Sequence, residues 1–146
     1  ARLVEAYPDT VVGSKDSSGD WPRMERTLSE LPGFRLFPGS EEFLLAGLRQ
    51  GAVGCISATV NVTAPQSQDV YANWRSDNAD ELQNYLTELR MAFKGLPAIP
   101  VMKAYHARER NDPGFANLRP PFTPASDADL TTVSERLAAA SFKLAA

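Results

Sequence analysis

One lysine carries the most chemistry in this chain. Thr10-Val11-Val12-Gly13-Ser14-Lys15 is short and β-branched, and Asp16-Ser17-Ser18-Gly19-Asp20 follows it as a loop of small polar residues. The first stretch reads as a buried strand with Lys15 at its C-terminal end. Period-two alternation puts Val11, Gly13 and Lys15 on one face. Among apolar neighbours a charged ammonium is costly to desolvate, so burial favours the neutral amine. A neutral lysine amine attacks a ketone to give a Schiff base. The iminium then serves as an electron sink for making or breaking a C–C bond. The alternative is a solvated lysine where a strand meets a loop, a common device at strand ends.

The elements that must position Lys15 alternate. Trp21, Met24, Leu28 and Leu31 have helical spacing, Pro22 suits a first turn, and Pro32-Gly33 ends the helix. Phe34-Arg35-Leu36-Phe37 is a second short strand, broken by Pro38-Gly39. Ser40 caps a helix with Glu41 and Glu42 in its first turn and Gly51 after its end. Ala52 to Val60 is apolar or small throughout and predicts a third strand covered on both faces. Strand, helix, strand, helix, strand with short loops is the pattern of a parallel sheet. After Val62 the pattern turns helical. Helices are expected from Pro65 to about Trp74, from a Ser76 or Asp77 cap to Gly95, and from Pro97 through Tyr105. A last one follows Ser126, which forms a capping box with Asp129. Three strands cannot close a parallel barrel, and standing alone they would leave long edges exposed.

The composition excludes several classes. The chain has 146 residues, 43% apolar, with 15 Lys+Arg against 18 Asp+Glu and a net charge of −3. Phosphate binding needs a basic surplus, so nucleic acid is not the expected partner. One cysteine excludes a disulfide scaffold within the chain and a Cys-rich zinc site. No apolar run approaches the roughly 18 residues of a membrane span. No phosphate-binding Gly-rich loop or HExxH motif is present. An intracellular acidic domain is the baseline expectation. Cys55 reads as a small buried hydrophobe. His106, the single histidine, is expected at the surface, because it has no acidic neighbour at metal spacing. Asp16 and Asp20 are candidate helix caps, and Arg119 a candidate tie between the two parts of the chain.

Gly13-Ser14-Lys15-Asp16-Ser17-Ser18-Gly19-Asp20 resembles the Schiff-base lysine segment of the dihydrodipicolinate synthase/N-acetylneuraminate lyase family. These are class I pyruvate aldolases built on TIM barrels. The resemblance continues in order through Phe37-Pro38-Gly39-Ser40, Gly51 to Ser57 with Asn61-Val62, Ile99 to Lys103, and Leu118-Arg119-Pro120-Pro121. It implies an α/β fold: strands six, seven and eight of a (β/α)8 barrel over residues 1–64, then a C-terminal helical domain over 65–146. It implies Lys15 as the catalytic amine, with Gly39 and Ile56 lining the pyruvate pocket. No metal or organic cofactor is implied, since the lysine itself is the electron sink.

The resemblance covers only the C-terminal half of such a protein, as a whole barrel takes about 250 residues. The family's carboxylate-binding Thr-Thr pair and its proton-shuttling tyrosine belong to the other half, so neither can be assigned here. The implied partners are a 2-keto acid substrate, the missing N-terminal half and, as a tetramer in the cytoplasm, further copies. The implied reaction joins pyruvate to an aldehyde or cleaves a 2-keto (3-deoxy sugar) acid. Two alternatives stand beside it: synthesis of dihydrodipicolinate from pyruvate and aspartate semialdehyde, and a non-catalytic partner that keeps the fold. Ser14 departs from the family's usual aliphatic residue before the lysine. Arg119-Pro120-Pro121 departs from its Arg-Leu-Pro and leans toward the sugar-acid branches.

Overall fold

The computed structural model describes residues 2–145. A short helix, α1 (Arg2–Ala6), leads into β1 (Gly13–Asp16). Helix α2 (Trp21–Glu30) starts as its residues dictate: the Asp20 side chain accepts from the Arg23 N–H at 3.1 Å, and Pro22 occupies the first turn, where no N–H is needed. Strand β2 (Arg35–Pro38) returns parallel to β1, with Gly13 opposite Arg35, Ser14 opposite Leu36 and Lys15 opposite Phe37. Ser40 caps a 3-10 turn (Glu41–Phe43) that runs into α3 (Leu44–Arg49).

The third strand expected over Ala52–Val60 does not form; the sheet has two strands among the described residues. Residues 52–57 still run along β2. The Val53 N–H donates to the Leu36 carbonyl at 3.2 Å, and the Ile56 N–H to the Pro38 carbonyl at 3.0 Å. Three steps on this segment therefore match two on β2. The extra residue falls at Gly54, whose φ of 151° few other residues tolerate. Pro38 has no N–H with which to return a bond. The result is a bulged, extended segment and not a continuous ladder.

Helix α4 (Val60–Asn73) begins five residues before the expected start at Pro65, and Thr63 breaks its regularity at φ −103°, ψ 22°. Pro65 explains the break. Its ring crowds the preceding turn, and it cannot donate to the carbonyl of Asn61 four residues back. Helix α5 (Ala79–Met91) starts after Asn78 and not at the expected Ser76 or Asp77 cap. Asn78 makes no side-chain cap, and Asp80 and Glu81 supply the favourable charge instead. Then come α6 (Ala98–Glu109), a 3-10 turn (Pro113–Ala116) and α7 (Asp127–Ala139) with the expected Ser126–Asp129 capping box.

Two apolar clusters hold these elements. Leu44, Leu45, Leu48, Val70, Ala79 and Leu86 pack with Cys55 beside the extended segment. Val62, Leu89, Phe93, Val101, Met102, Tyr105, Val133 and Leu137 join α4 to α7. Each fully buried side chain of this size contributes about 1.5–3 kcal/mol.

Candidate active site

The packing fixes which face of the strands Lys15 occupies. Leu36 is 1% exposed, and Ala52 is buried near Pro38 and Gly47 of α3. That face is the helix-covered one. Alternation puts Phe37 on the opposite face, and Lys15 stands level with it. Val53, 38% exposed, and Ile56, 47% exposed, lie outside the clusters, while Cys55 between them packs inward against the first. The strand expected to be buried is not: Lys15 is exposed, because no element of the described residues covers its side of the strands. Ser14, opposite Leu36, is exposed too.

Gly39 and Ile56 reach the same end of the strands through the backbone. The Gly39 N–H donates to the Asp16 carbonyl at 2.6 Å, one residue beyond Lys15, and Ile56 bonds the carbonyl just before Gly39. A Cβ on Gly39 would lie 2.8 Å from that Asp16 oxygen and 2.9 Å from the Ser17 Cα. Only glycine lets the two strand ends approach so closely. The three residues share one end of the sheet, but Gly39 and Ile56 line different cavities. Gly39 lines a cavity of about 310 Å³ with Asp16, Ser18, Ser40 and Arg90. Ile56 lines another of about 510 Å³ with Cys55, Ser57, Val60, Asn61 and Ala64. Lys15 borders neither.

Asp16 caps nothing; it is buried and accepts from the Ser18 N–H at 2.8 Å and from the Ser18 hydroxyl, with Arg23 3.4 Å away. Burial pushes its carboxyl up, but the two Ser18 bonds and the Arg23 charge outweigh burial and hold it below the usual carboxylate value. Burial pushes the Cys55 thiol up to about 11, with the Glu41 carboxylate adding to the effect. Cys55 is thus half-buried at the edge of the cluster and not fully buried as expected, and a thiol raised this far is unreactive near neutral pH.

Glu41 is the polar residue the sequence reading missed. It is 0% exposed. Its Oε1 accepts from the Thr59 and Thr63 hydroxyls, and its Oε2 lies 3.6 Å from the Arg90 guanidinium. Gln83 donates to the Glu41 carbonyl and accepts from the Leu45 N–H, each at 2.9 Å. A signal was present: Thr59 and Thr63 are four apart, so a helix there presents both hydroxyls on one face. This network joins the 3-10 turn after β2 and the start of α3 to α4 and α5. Arg119, expected to make such a tie, is exposed and forms no ion pair among the described residues.

His106 also departs from expectation. It is 8% exposed, not a surface residue, and its Nε2 donates to the Asn61 carbonyl at 2.9 Å. That carbonyl is the one Pro65 leaves without a helical donor. A buried histidine satisfies a defect that lies 45 residues away in sequence.

A sequence profile described as the dihydrodipicolinate synthetase family matches residues 1–140. The chain is 35% identical over 109 residues to a 4-hydroxy-tetrahydrodipicolinate synthase of Methanopyrus kandleri, over 71% of this chain and 36% of that enzyme. It is 35% identical over 134 residues to the protein of the same name from Rhizorhabdus wittichii, over 88% of this chain and 45% of that one. The chain thus spans less than half the length of these curated relatives. Its fold matches a crystal structure of dihydrodipicolinate synthase from Agrobacterium tumefaciens with a TM-score of 0.81 at 26% identity, covering 94% of this chain and 46% of that one. N-acetylneuraminate lyase from Fusobacterium nucleatum, crystallised with pyruvate, shares the fold at a TM-score of 0.77 and 20% identity, covering 94% of this chain and 48% of that one.

Proposed function

Because the chain belongs to the dihydrodipicolinate synthetase family, we propose that it is the lysine-bearing part of a Schiff-base-forming aldolase or lyase that acts on pyruvate plus an aldehyde, or on a 2-keto (3-deoxy sugar) acid. The observation that carries this reading is the placement of Lys15. It stands at the C-terminal end of a parallel strand, level with Phe37 and away from the face the helices cover. Parallel barrels keep their chemistry at that end of the strands. In the proposed reaction the Lys15 amine adds to the keto carbon of pyruvate and water leaves, giving an imine. The protonated imine then takes up the electron pair released at the neighbouring carbon. Gly39 and Ile56 border the substrate from the two adjacent strand ends.

Residues 1–64 are read as the last three βα units of the barrel, strands six to eight, and residues 65–146 as its helical domain. The open edge of β1 and the outer edge of residues 52–57 are where the remaining strands would pair. They would cover Lys15 and lower the polarity around it, which the neutral amine requires. Another stretch of the polypeptide, or a second one, supplies them, together with the residues that hold the substrate carboxylate and move protons. Assembly as a tetramer in the cytoplasm belongs to the same reading. The names of the relatives favour one narrower version, synthesis from pyruvate and aspartate semialdehyde.

The test is reductive trapping on the complete barrel. Borohydride added with pyruvate should deliver hydride to the imine carbon and leave a stable secondary amine on the peptide carrying Lys15. Lys15→Arg should lose both the adduct and turnover. An unmodified Lys15 in an enzyme that still turns over would overturn the assignment. Biological activity that survives Lys15→Ala would favour a non-catalytic partner.

A further inference from the structure

We infer that the cavity between the start of α4 and the exposed face of α6 binds a small organic carboxylate with an apolar, ring-sized body. The cavity measures about 540 Å³, large enough for a small organic molecule, and is lined by Ala58, Asn61, Ile99, Met102, Lys103, His106, Arg110 and Phe115. Ile99, Lys103, His106 and Arg110 lie at helical spacing on one face of α6 and its last turn, so the sequence alone puts two permanent cations and an imidazole along one wall.

Among the described residues neither cation has an acidic side-chain partner. Among the described residues Lys103 makes no ion pair or hydrogen bond, and Arg110 contacts only neutral groups. The Arg110 Nε donates to the His106 Nδ1 at 3.3 Å, and its Nη2 to the Ala145 carbonyl at 3.0 Å. Those two bonds leave its Nη1 available. Both ring nitrogens of His106 are thereby engaged, Nδ1 by the Arg110 Nε–H and Nε2 by the Asn61 carbonyl. Two positive groups thus face one cavity in a chain whose net charge is −3. A carboxylate between them would complete the pairing.

The other walls select the ligand's body. Met102 is buried behind the cavity, while Ile99 and Phe115 expose 40% and 38% of their surface toward solvent. The Phe115 ring stacks on the His106 imidazole at 5.5 Å and 22°. That leaves a flat apolar surface for a ring or a branched chain. A phosphate or a polyol would leave these walls wet. The cavity shares Asn61 with the one that Ile56 lines, so an occupant would sit next to the strand end.

Benzoate is a suitable probe, with benzamide as its neutral match in shape. In calorimetric titrations of the full protein, benzoate should bind saturably and about tenfold more tightly than benzamide, the value of one charge-assisted contact. Raising the salt concentration should weaken benzoate alone. Lys103→Ala should reduce the preference several-fold, and Lys103→Gln should do the same if the alanine variant loses its fold. Equal affinities for the two probes, no saturable binding of benzoate, or an unchanged preference in the lysine variants would overturn the inference.

Discussion

The Nε2–H of His106 donates to the carbonyl of Asn61, and the proline at position 65 is the reason that carbonyl is available. In an unbroken helix the residue-65 N–H would take it. The proline removes the donor, kinks α4 at Thr63, and leaves an acceptor that His106 of α6 satisfies. Two helices that belong to different stretches of the chain are therefore joined by a bond whose need arises from one ring closure.

The pair predicts a double-mutant cycle. His106→Leu should cost about 0.5–1.5 kcal/mol, because the hydrogen bond to the Asn61 carbonyl is lost. In a Pro65→Ala background the restored N–H competes for that carbonyl, so His106→Leu should cost measurably less. The coupling should be at least about 0.5 kcal/mol by urea denaturation. Additive effects would mean that the carbonyl finds water or another donor in both backgrounds.

The close approach of the two strand ends sets a second expectation. Gly39→Ala puts a methyl group 2.8 Å from the Asp16 carbonyl oxygen, and the atoms in its way are mostly backbone. The strands must part, at a cost of about 1–3 kcal/mol. In the complete barrel the same shift should also reduce pyruvate trapping at Lys15, since Lys15 precedes the displaced residue. Unchanged denaturation midpoints and unchanged trapping would show that the end of β1 yields without consequence.

The sequence made the regular parts legible because local chemistry decided them. Asp20 and Ser126 cap the helices they were expected to cap. Lys15 was read at a strand end, and β1 ends one residue after it. What could not be read depends on partners distant in the chain. A continuous apolar run from Ala52 to Val60 says nothing of the extra residue at Gly54 that breaks the ladder, because register is a property of two strands. Its sequence context marks Glu41 only as a first-turn acid. Its burial follows from Thr59, Thr63 and Arg90, which approach only once α4 and α5 have packed. His106 lacked acidic neighbours at metal spacing, yet a carbonyl orphaned by Pro65 was enough to bury it. Gly39 and Ile56, expected to line one pocket with Lys15, reach the same sheet end but line different cavities.

The environment of Asp16 gives stability a pH dependence whose sign can be worked out. Its folded-state carboxyl titrates below the ordinary value near 3.9, since the Ser18 bonds and Arg23 outweigh burial. The folded protein therefore binds fewer protons than the unfolded chain across that range. The stabilisation is fully present above about pH 4 and is lost as pH falls through the lower folded value. Asp16→Asn removes the titrating group. Its thermal midpoint should lie below that of the parent near neutral pH, and the two should converge on acidification below about pH 4. The other carboxylates act on both proteins alike, so the difference between the curves isolates this one. Curves that stay parallel from neutral pH into the acid range would mean that Ser18 and Arg23 bind the protonated and ionised forms of Asp16 equally well.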